Sequence, residues 1–216
     1  KEIEKINTIR VRISSLEPNL FSEDIIDLVT NSKIIVPHFH IPLQSGCDKV
    51  LKLMKRRYLT KNYKTLITKL KSKNPSICIG ADVIVGFPGE TESDFKETLR
   101  FIKSLPISYL HVFSYSEREN TIAKKLEKSV SISDRKKRSK SLRNLSDKKK
   151  NAFYTENLNK TRPALIESGN NTDYLNGYTD NYIKIEVPYK NELKNKIVNI
   201  KIHSLISNGK AKAEII

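Results

Sequence analysis

The chain holds 216 residues, and 40 Lys+Arg against 24 Asp+Glu give a formal charge of +16. Hydrophobic residues at 38% are enough for a core, which excludes wholesale disorder. No apolar run approaches the ~20 residues that cross a bilayer, and two cysteines can form neither a disulfide framework nor a zinc site, so a reduced, cytoplasmic setting is expected. The opening residues have neither a starting Met nor a signal peptide's apolar stretch, and the chain reads as a piece of a longer protein.

Residues 1–113 alternate short apolar runs with helical patterns, the signature of repeated βα units and a parallel sheet. Arg10–Ser15 (RVRISS) reads as a strand, and Ser22 caps a helix with Ile25, Ile26 and Val29 on one face. Val36–Leu43 (VPHFHIPL) is a second strand, followed by a short helix turning Val50, Leu51 and Met54 inward. Thr60 opens a helix that buries Tyr63, Leu66, Ile67 and Leu70. Ile77–Val85 (ICIGADVIV), the most apolar strand, is expected to be covered on both faces. Thr91–Asp94 (TESD) forms a capping box for a helix with Phe95, Leu99 and Ile102, and Ile107–Phe113 closes the region as a fourth strand.

Residues 131–160 read as one polar helix with Leu142, Leu145, Ala152 and Phe153 as its apolar seam. Beyond Pro163 the period becomes two, at Ile183/Ile185/Val187, Val198/Ile200/Ile202 and Ala211/Ala213/Ile215, with turns at Gly177 and Asn208-Gly209. That pattern means a small antiparallel barrel or sandwich. The expected organisation is an α/β part over residues 1–130, a basic connector helix over 131–162 and a β-barrel over 163–216. The connector dominates the charge: residues 134–162 hold 11 basic and 3 acidic side chains. Such a stripe attracts a polyanion such as RNA, although a Lys-rich helix face is as often ordinary solvated surface.

In parallel sheets, ligands bind beyond the carboxyl ends of the strands. Here those ends are polar and punctuated: Ser14-Ser15-Leu16-Glu17-Pro18, Pro42-Leu43-Gln44-Ser45-Gly46, Gly86-Phe87-Pro88-Gly89-Glu90, and Ser114-Tyr115-Ser116 with Arg118 following. Together they suit a ligand with ribose hydroxyls and an amino-acid group, while Gly86 and Gly89 allow backbone to approach a flat ring. His38 and His40 face one side of their strand and read as packing or a ligand hydrogen bond rather than a metal pair, and His111 as a strand residue with a partner. Cys47 reads as a small residue filling a helix start, and Cys78 as inert core.

RISSLEP, then HIPLQSGCDKVLKLMKRRY, ADVIVGFPGETESDF and HVFSYSERENTIA, in this order and spacing, resemble the radical S-adenosylmethionine (SAM) methylthiotransferases across residues 8–126. The basic helix and β module look like the family's connector and TRAM domain, an OB-like RNA-binding barrel. RISSLEP and the tail run NGYTDNYIK resemble the branch that acts on threonylcarbamoyladenosine in tRNA; siblings act on isopentenyladenosine or on a ribosomal protein.

The resemblance implies the C-terminal part of a radical SAM partial (β/α) barrel, with four parallel strands, followed by the TRAM barrel. It implies cofactors, namely SAM and two 4Fe–4S clusters, and as partners the tRNA anticodon stem-loop and an electron donor, with no membrane. The family's reaction cleaves SAM reductively, removes hydrogen from C2 of the adenine and installs a methylthio group. Carried over by position, Ser15, Glu17, Gln44, Ser45, Val85, Gly86, Phe87 and Tyr115 would hold the cofactor. Arg118, Lys148, Lys149 and Lys150 would face RNA.

Cys47 stands where the family usually has Ser, and Asn120 where Gly is common. The family's C-x-x-x-C-x-x-C cluster motif does not occur in this chain, so the resemblance places catalysis in a longer parent. A non-catalytic RNA-binding module is the competing reading. An unrelated α/β-barrel lyase is disfavoured because the strand ends offer no Schiff-base lysine.

Overall fold

The computed structural model describes residue 2, residues 10–117, 119, 121, 123, 126, 129–167, 173–207 and 209–216. Arg118, Asn120 and Asn208 lie outside the described residues. Four strands, β1 (Val11–Ile13), β2 (Ile35–His40), β3 (Cys78–Val85) and β4 (Tyr109–Ser114), form one sheet in sequence order, every pairing parallel. The crossovers run through α1 (Glu23–Asn31), then α2 (Asp48–Leu53) with α3 (Thr60–Lys73), then α4 (Glu92–Ser104). Ser22 accepts the Ile25 N–H at 3.3 Å, and Thr91 and Asp94 form the reciprocal cap expected at α4.

These helices cover one face of the sheet. Phe39, Ile79, Ala81, Val83 and Val85 pack there against Tyr63, Ile67 and Leu70 of α3 and against Phe95 and Ile102 of α4. Tyr63 is wholly buried and its hydroxyl donates to the Ile41 carbonyl at 2.8 Å, so this phenol is satisfied inside the core. The expectation that β3 is covered on both faces is corrected: Asp82 and Ile84 remain half-exposed on the face away from the helices. At Gly80 a Cβ would lie 2.3 Å from the Tyr109 ring, so the missing side chain is what lets that ring lie across β3.

A 24-residue helix, α5 (Ile132–Thr155), runs beside β4. Its inner face is Arg135, Arg138, Ser139, Leu142, Ser146 and Phe153, while Ala152, expected in the seam, is exposed. β4 is the last strand of its sheet, and Ser146 meets its free edge: the Leu110 N–H donates to Ser146 Oγ at 2.8 Å, and Oγ donates to the Leu110 carbonyl at 3.1 Å. Ser146→Ala is expected to cost about 1–3 kcal/mol in urea denaturation, because two buried backbone groups lose their partner. A change within the ~0.5 kcal/mol of an ordinary surface substitution would disprove that role.

Strands β5 (Thr161–Ile166), β6 (Tyr174–Thr179), β7 (Lys184–Pro188), β8 (Ile197–Ile206) and β9 (Lys210–Ile215) close into a barrel of order β5-β6-β7-β9-β8. Four seams are antiparallel, but β7 and β9 pair parallel, which amends the expectation of a purely antiparallel barrel and is the circuit of an OB-like fold. Gly177 sits inside β6, not in a turn, because a Cβ there would meet the Leu165 carbonyl at 2.5 Å. Pro163 lies within β5, one residue before the pairing with β6 begins. Asn181, fully buried, ties the barrel to the rest of the chain by donating to Asn157 Oδ1 at 3.1 Å and to the Ser76 carbonyl at 3.2 Å.

Candidate functional site

Because the four strands are parallel, their carboxyl ends lie along one edge of the sheet. The ends of β1, β2 and β3 turn away sharply. Ser15 and Gln44 hold φ of 55° and 67°, and Gly86 and Gly89 hold 77° and 87°. Such backbone is costly for Ser and Gln. Gln44 also prolongs the ladder, donating its N–H to the Asp82 carbonyl at 2.8 Å and accepting the Ile84 N–H at 2.9 Å. Its side-chain Oε1 is buried without a hydrogen-bond partner among the described residues. The same is true of the Tyr115 hydroxyl. Buried polar atoms ordinarily have a partner, so these two have hydrogen-bonding capacity left over at the rim.

The other expected residues divide. Ser15 is exposed and within 3.2 Å of His40 Nδ1. Glu17 is half-buried and takes Arg56 at 3.2 Å. Phe87 packs edge-on to Tyr115 at 5.3 Å, in a small apolar cluster with Cys47 and Val50. Val85 is wholly buried in the core beneath the rim. Ser45 is wholly buried, with its hydroxyl beside Thr98 Oγ1 at 3.2 Å and accepting the Cys47 N–H, so it braces the loop from behind.

Gly86 also differs from expectation. A Cβ there would lie 2.3 Å from Arg135 Cγ, so the glycine admits an arginine from α5. Arg135 donates to the Tyr115 carbonyl at 2.9 Å and pairs with Glu117, while Arg138 pairs with the buried Glu90 at 2.7 Å. Glu90 Oε2 in turn accepts the Gly86 N–H at 2.6 Å. Two arginines of the basic helix thus lock the rim and face inward.

Below the rim, on the face away from the helices, lies a polar surface that the sequence reading did not assemble. His40 Nε2 lies 2.9 Å from Asp82 Oδ1, and the His40 and His111 rings meet edge-on at 5.3 Å. A carboxylate only accepts, so Nε2 carries a proton and donates it to Asp82. Burial holds His111 below its ordinary pKa, with the His40 charge adding to the effect. Phe113 is 53% exposed at the top of this surface. His38 does face the same side as His40, as expected. It is wholly buried, with Nε2 2.8 Å from the Tyr109 hydroxyl, and burial lowers its pKa to about 3. The signal available in sequence was the polar side chains at alternate strand positions, His38/His40, Asp82 and Tyr109/His111, but only the register sets His40 opposite Gly80 and Asp82 opposite His111.

Of the lysines, Lys148 is exposed. Lys149 is half-buried and caps α4, donating to the Leu105 carbonyl at 2.6 Å, so it is not free for phosphate. Lys150 is half-buried, 5.3 Å from the Tyr154 ring. Neither cysteine suits an iron–sulfur cluster. Burial pushes Cys47 up to about 11 and Cys78 up to about 12, and the two belong to different clusters of the core. Cys47, Asp94 and Glu97 bring ligand atoms within 4.8 Å of one another, but Asp94 is spent on Thr91 and on Lys49 at 2.7 Å.

The Radical SAM superfamily model matches residues 1–102, which include β1 to β3 of the parallel sheet and most of α4. The chain is 39% identical over 186 residues to the threonylcarbamoyladenosine tRNA methylthiotransferase MtaB of Aquifex aeolicus (strain VF5), covering 86% of this chain and 44% of that protein. It is 39% identical over 197 residues to the MtaB of Bacillus subtilis (strain 168), covering 89% and 44%. It is 35% identical over 201 residues to the tRNA-2-methylthio-N(6)-dimethylallyladenosine synthase of Methylobacillus flagellatus, covering 92% and 46%. Most of the chain is thus similar to radical SAM tRNA methylthiotransferases, and it spans less than half the length of these relatives. Among solved structures, the radical SAM enzyme coproporphyrinogen III oxidase (HemN) from Escherichia coli aligns over 68% of this chain and 32% of its own, at 18% identity and a TM-score of 0.49, a likeness too partial to bear on function. No helix among the described residues is long and apolar enough to cross a membrane.

Proposed function

We propose that this chain is the rim and RNA-facing part of an enzyme that converts N6-threonylcarbamoyladenosine beside the tRNA anticodon to its 2-methylthio derivative. The observation that carries this reading is the single rim, where four polar strand ends leave Gln44 Oε1 and the Tyr115 hydroxyl unpaired. SAM, when bound there, supplies radical initiation and the methyl group. Gln44 and Tyr115 would satisfy its ribose or amino-acid group, and Ser15 and Glu17 would flank it. The backbone at Gly86 and Phe87 would border the adenine, with Val85 and Ser45 holding the loops from below. His40, its Nε2 proton held on Asp82, presents an oriented imidazole to the substrate side. Phe113 offers that side a ring face. The described residues do not fit an iron–sulfur cluster, since the two cysteines are buried apart from each other. Two clusters and an electron donor belong to the proposal for the longer protein, as does the anticodon stem-loop.

RISSLEP at the first strand end supports the threonylcarbamoyladenosine branch, as does the 39% identity to relatives so named. The 35% identity over 201 residues to a dimethylallyladenosine enzyme keeps the sibling substrate as the second reading. Nucleoside mass analysis separates them. The full-length gene is expressed in a host stripped of its own methylthiotransferases, and the tRNA is digested. The expected product is 2-methylthio-threonylcarbamoyladenosine, at the expense of its precursor. Formation of only the isopentenyl product, or of neither, overturns the proposal.

A further inference from the structure

The corner where β4, α5 and the barrel meet encloses a cavity of about 300 Å³. Tyr178 and Tyr182 of the barrel line it, with Lys184, Lys150 and Tyr154, and His111 opens it toward the polar face of the sheet. The rings are already stacked. Tyr178 lies on Tyr182 at 4.8 Å and 19°, and Tyr182 lies on His38 at 4.2 Å and 18°. The Arg12 guanidinium stands 4.3 Å from the Tyr182 ring. Tyr178 is half-exposed.

Charge completes the picture. Burial lowers the Lys150 ammonium, Asp147 opposes that shift, and the nearby Lys184 charge adds to it. Two ammonium groups and the Asp147 carboxylate share the wall of this cavity, so the cations are in excess there and an anionic occupant would be favoured. An aromatic column beside paired ammonium groups is the chemistry that receives an unstacked base together with its phosphate.

We propose that this cavity holds one unstacked nucleotide of a single-stranded RNA loop, its base extending the Tyr178–Tyr182 stack and its phosphate lying between Lys150 and Lys184. The rise of β4, about 3.3 Å per residue, separates His111 from Tyr115 by roughly 13 Å. The occupant is therefore a different nucleotide from the one presented at the rim, and the site fixes which base reaches that rim. This deepens the tRNA reading above and rests on it for the identity of the RNA.

The test uses the full-length protein and a defined anticodon stem-loop RNA. Tyr178→Ala is expected to weaken binding roughly 5- to 100-fold, while Tyr178→Phe, which keeps the ring, stays within about twofold of the native protein. A bromouridine-substituted loop is expected to photocrosslink to Tyr178 in the unmutated protein, a readout that does not depend on any variant folding. Native affinity in folded Tyr178→Ala protein, equal losses in both variants, or a crosslink mapping elsewhere overturns the proposal. If methylthiolated nucleoside forms while Tyr178→Ala binds normally, only the cavity assignment falls. If Tyr178-dependent binding of single-stranded RNA persists with no methylthiolated nucleoside, only the proposed reaction falls.

Discussion

Arg138→Leu is expected to destabilise the fold by about 3–5 kcal/mol near neutral pH, because it strands a carboxylate that the native chain keeps out of water. The Glu90 side chain is 0% exposed and that of Arg138 is 8% exposed, with 2.7 Å between Nη1 and Oε2. Burial raises the Glu90 pKa, and the Gly86 N–H and Arg138 hold it back. Without Arg138 the carboxyl's folded pKa climbs further above its unfolded value. A carboxyl so raised contributes stability that is fully present below the unfolded pKa and is lost as pH rises through the folded one. The deficit of Arg138→Leu against the native protein should therefore shrink as pH falls from 8 to 5. Replacing both partners with leucine should cost less than Arg138→Leu alone, since an apolar pair leaves no charge behind. Urea midpoints at several pH values decide the matter, and a deficit that is independent of pH would show that Glu90 is not the stranded group.

The same pair shows where sequence reading stops. The helix caps at Ser22 and Thr91 and the parallel strands were legible because they are local: a side chain three residues from its N–H, or an apolar run between turn signals. The polar strand-end loops were legible as loops for the same reason. The inner face of α5 was not. Arg135, Arg138 and Ser146 are buried by two ion pairs and a strand edge that come from distant residues, and an apolar-periodicity count scores all three as solvent-facing. Strands β5 and β6 also escaped, since Pro163 and Gly177 read as breakers. In the barrel one precedes a seam and the other admits a neighbouring carbonyl. The His40–Asp82 pair needed the register between β2 and β3, which no single segment contains.

That division of α5 into two faces leads to the second large expected effect. Lys136, Lys140 and Arg143 are spaced four and three residues apart and are exposed, so they form one outward stripe. Arg135, Arg138 and Lys149 are committed to Glu117, to Glu90 and to the Leu105 carbonyl. If the stripe meets the phosphates of tRNA, each contact released adds about 0.7 to 0.9 to the slope of log affinity against log salt. Changing Lys136, Lys140 and Arg143 together to glutamine should then flatten the slope by about 2 to 3, and weaken binding roughly a hundredfold at physiological salt. Adding Lys148→Gln should flatten it further, because that side chain is exposed as well. Lys149→Gln should leave the slope alone and lower the melting temperature, since it uncaps α4. Stacking at Tyr178 carries no counterions, so loss of that ring should shift affinity equally at every salt concentration. An unchanged slope in the triple variant would return the stripe to plain solvated surface and leave the RNA to be held by some other face.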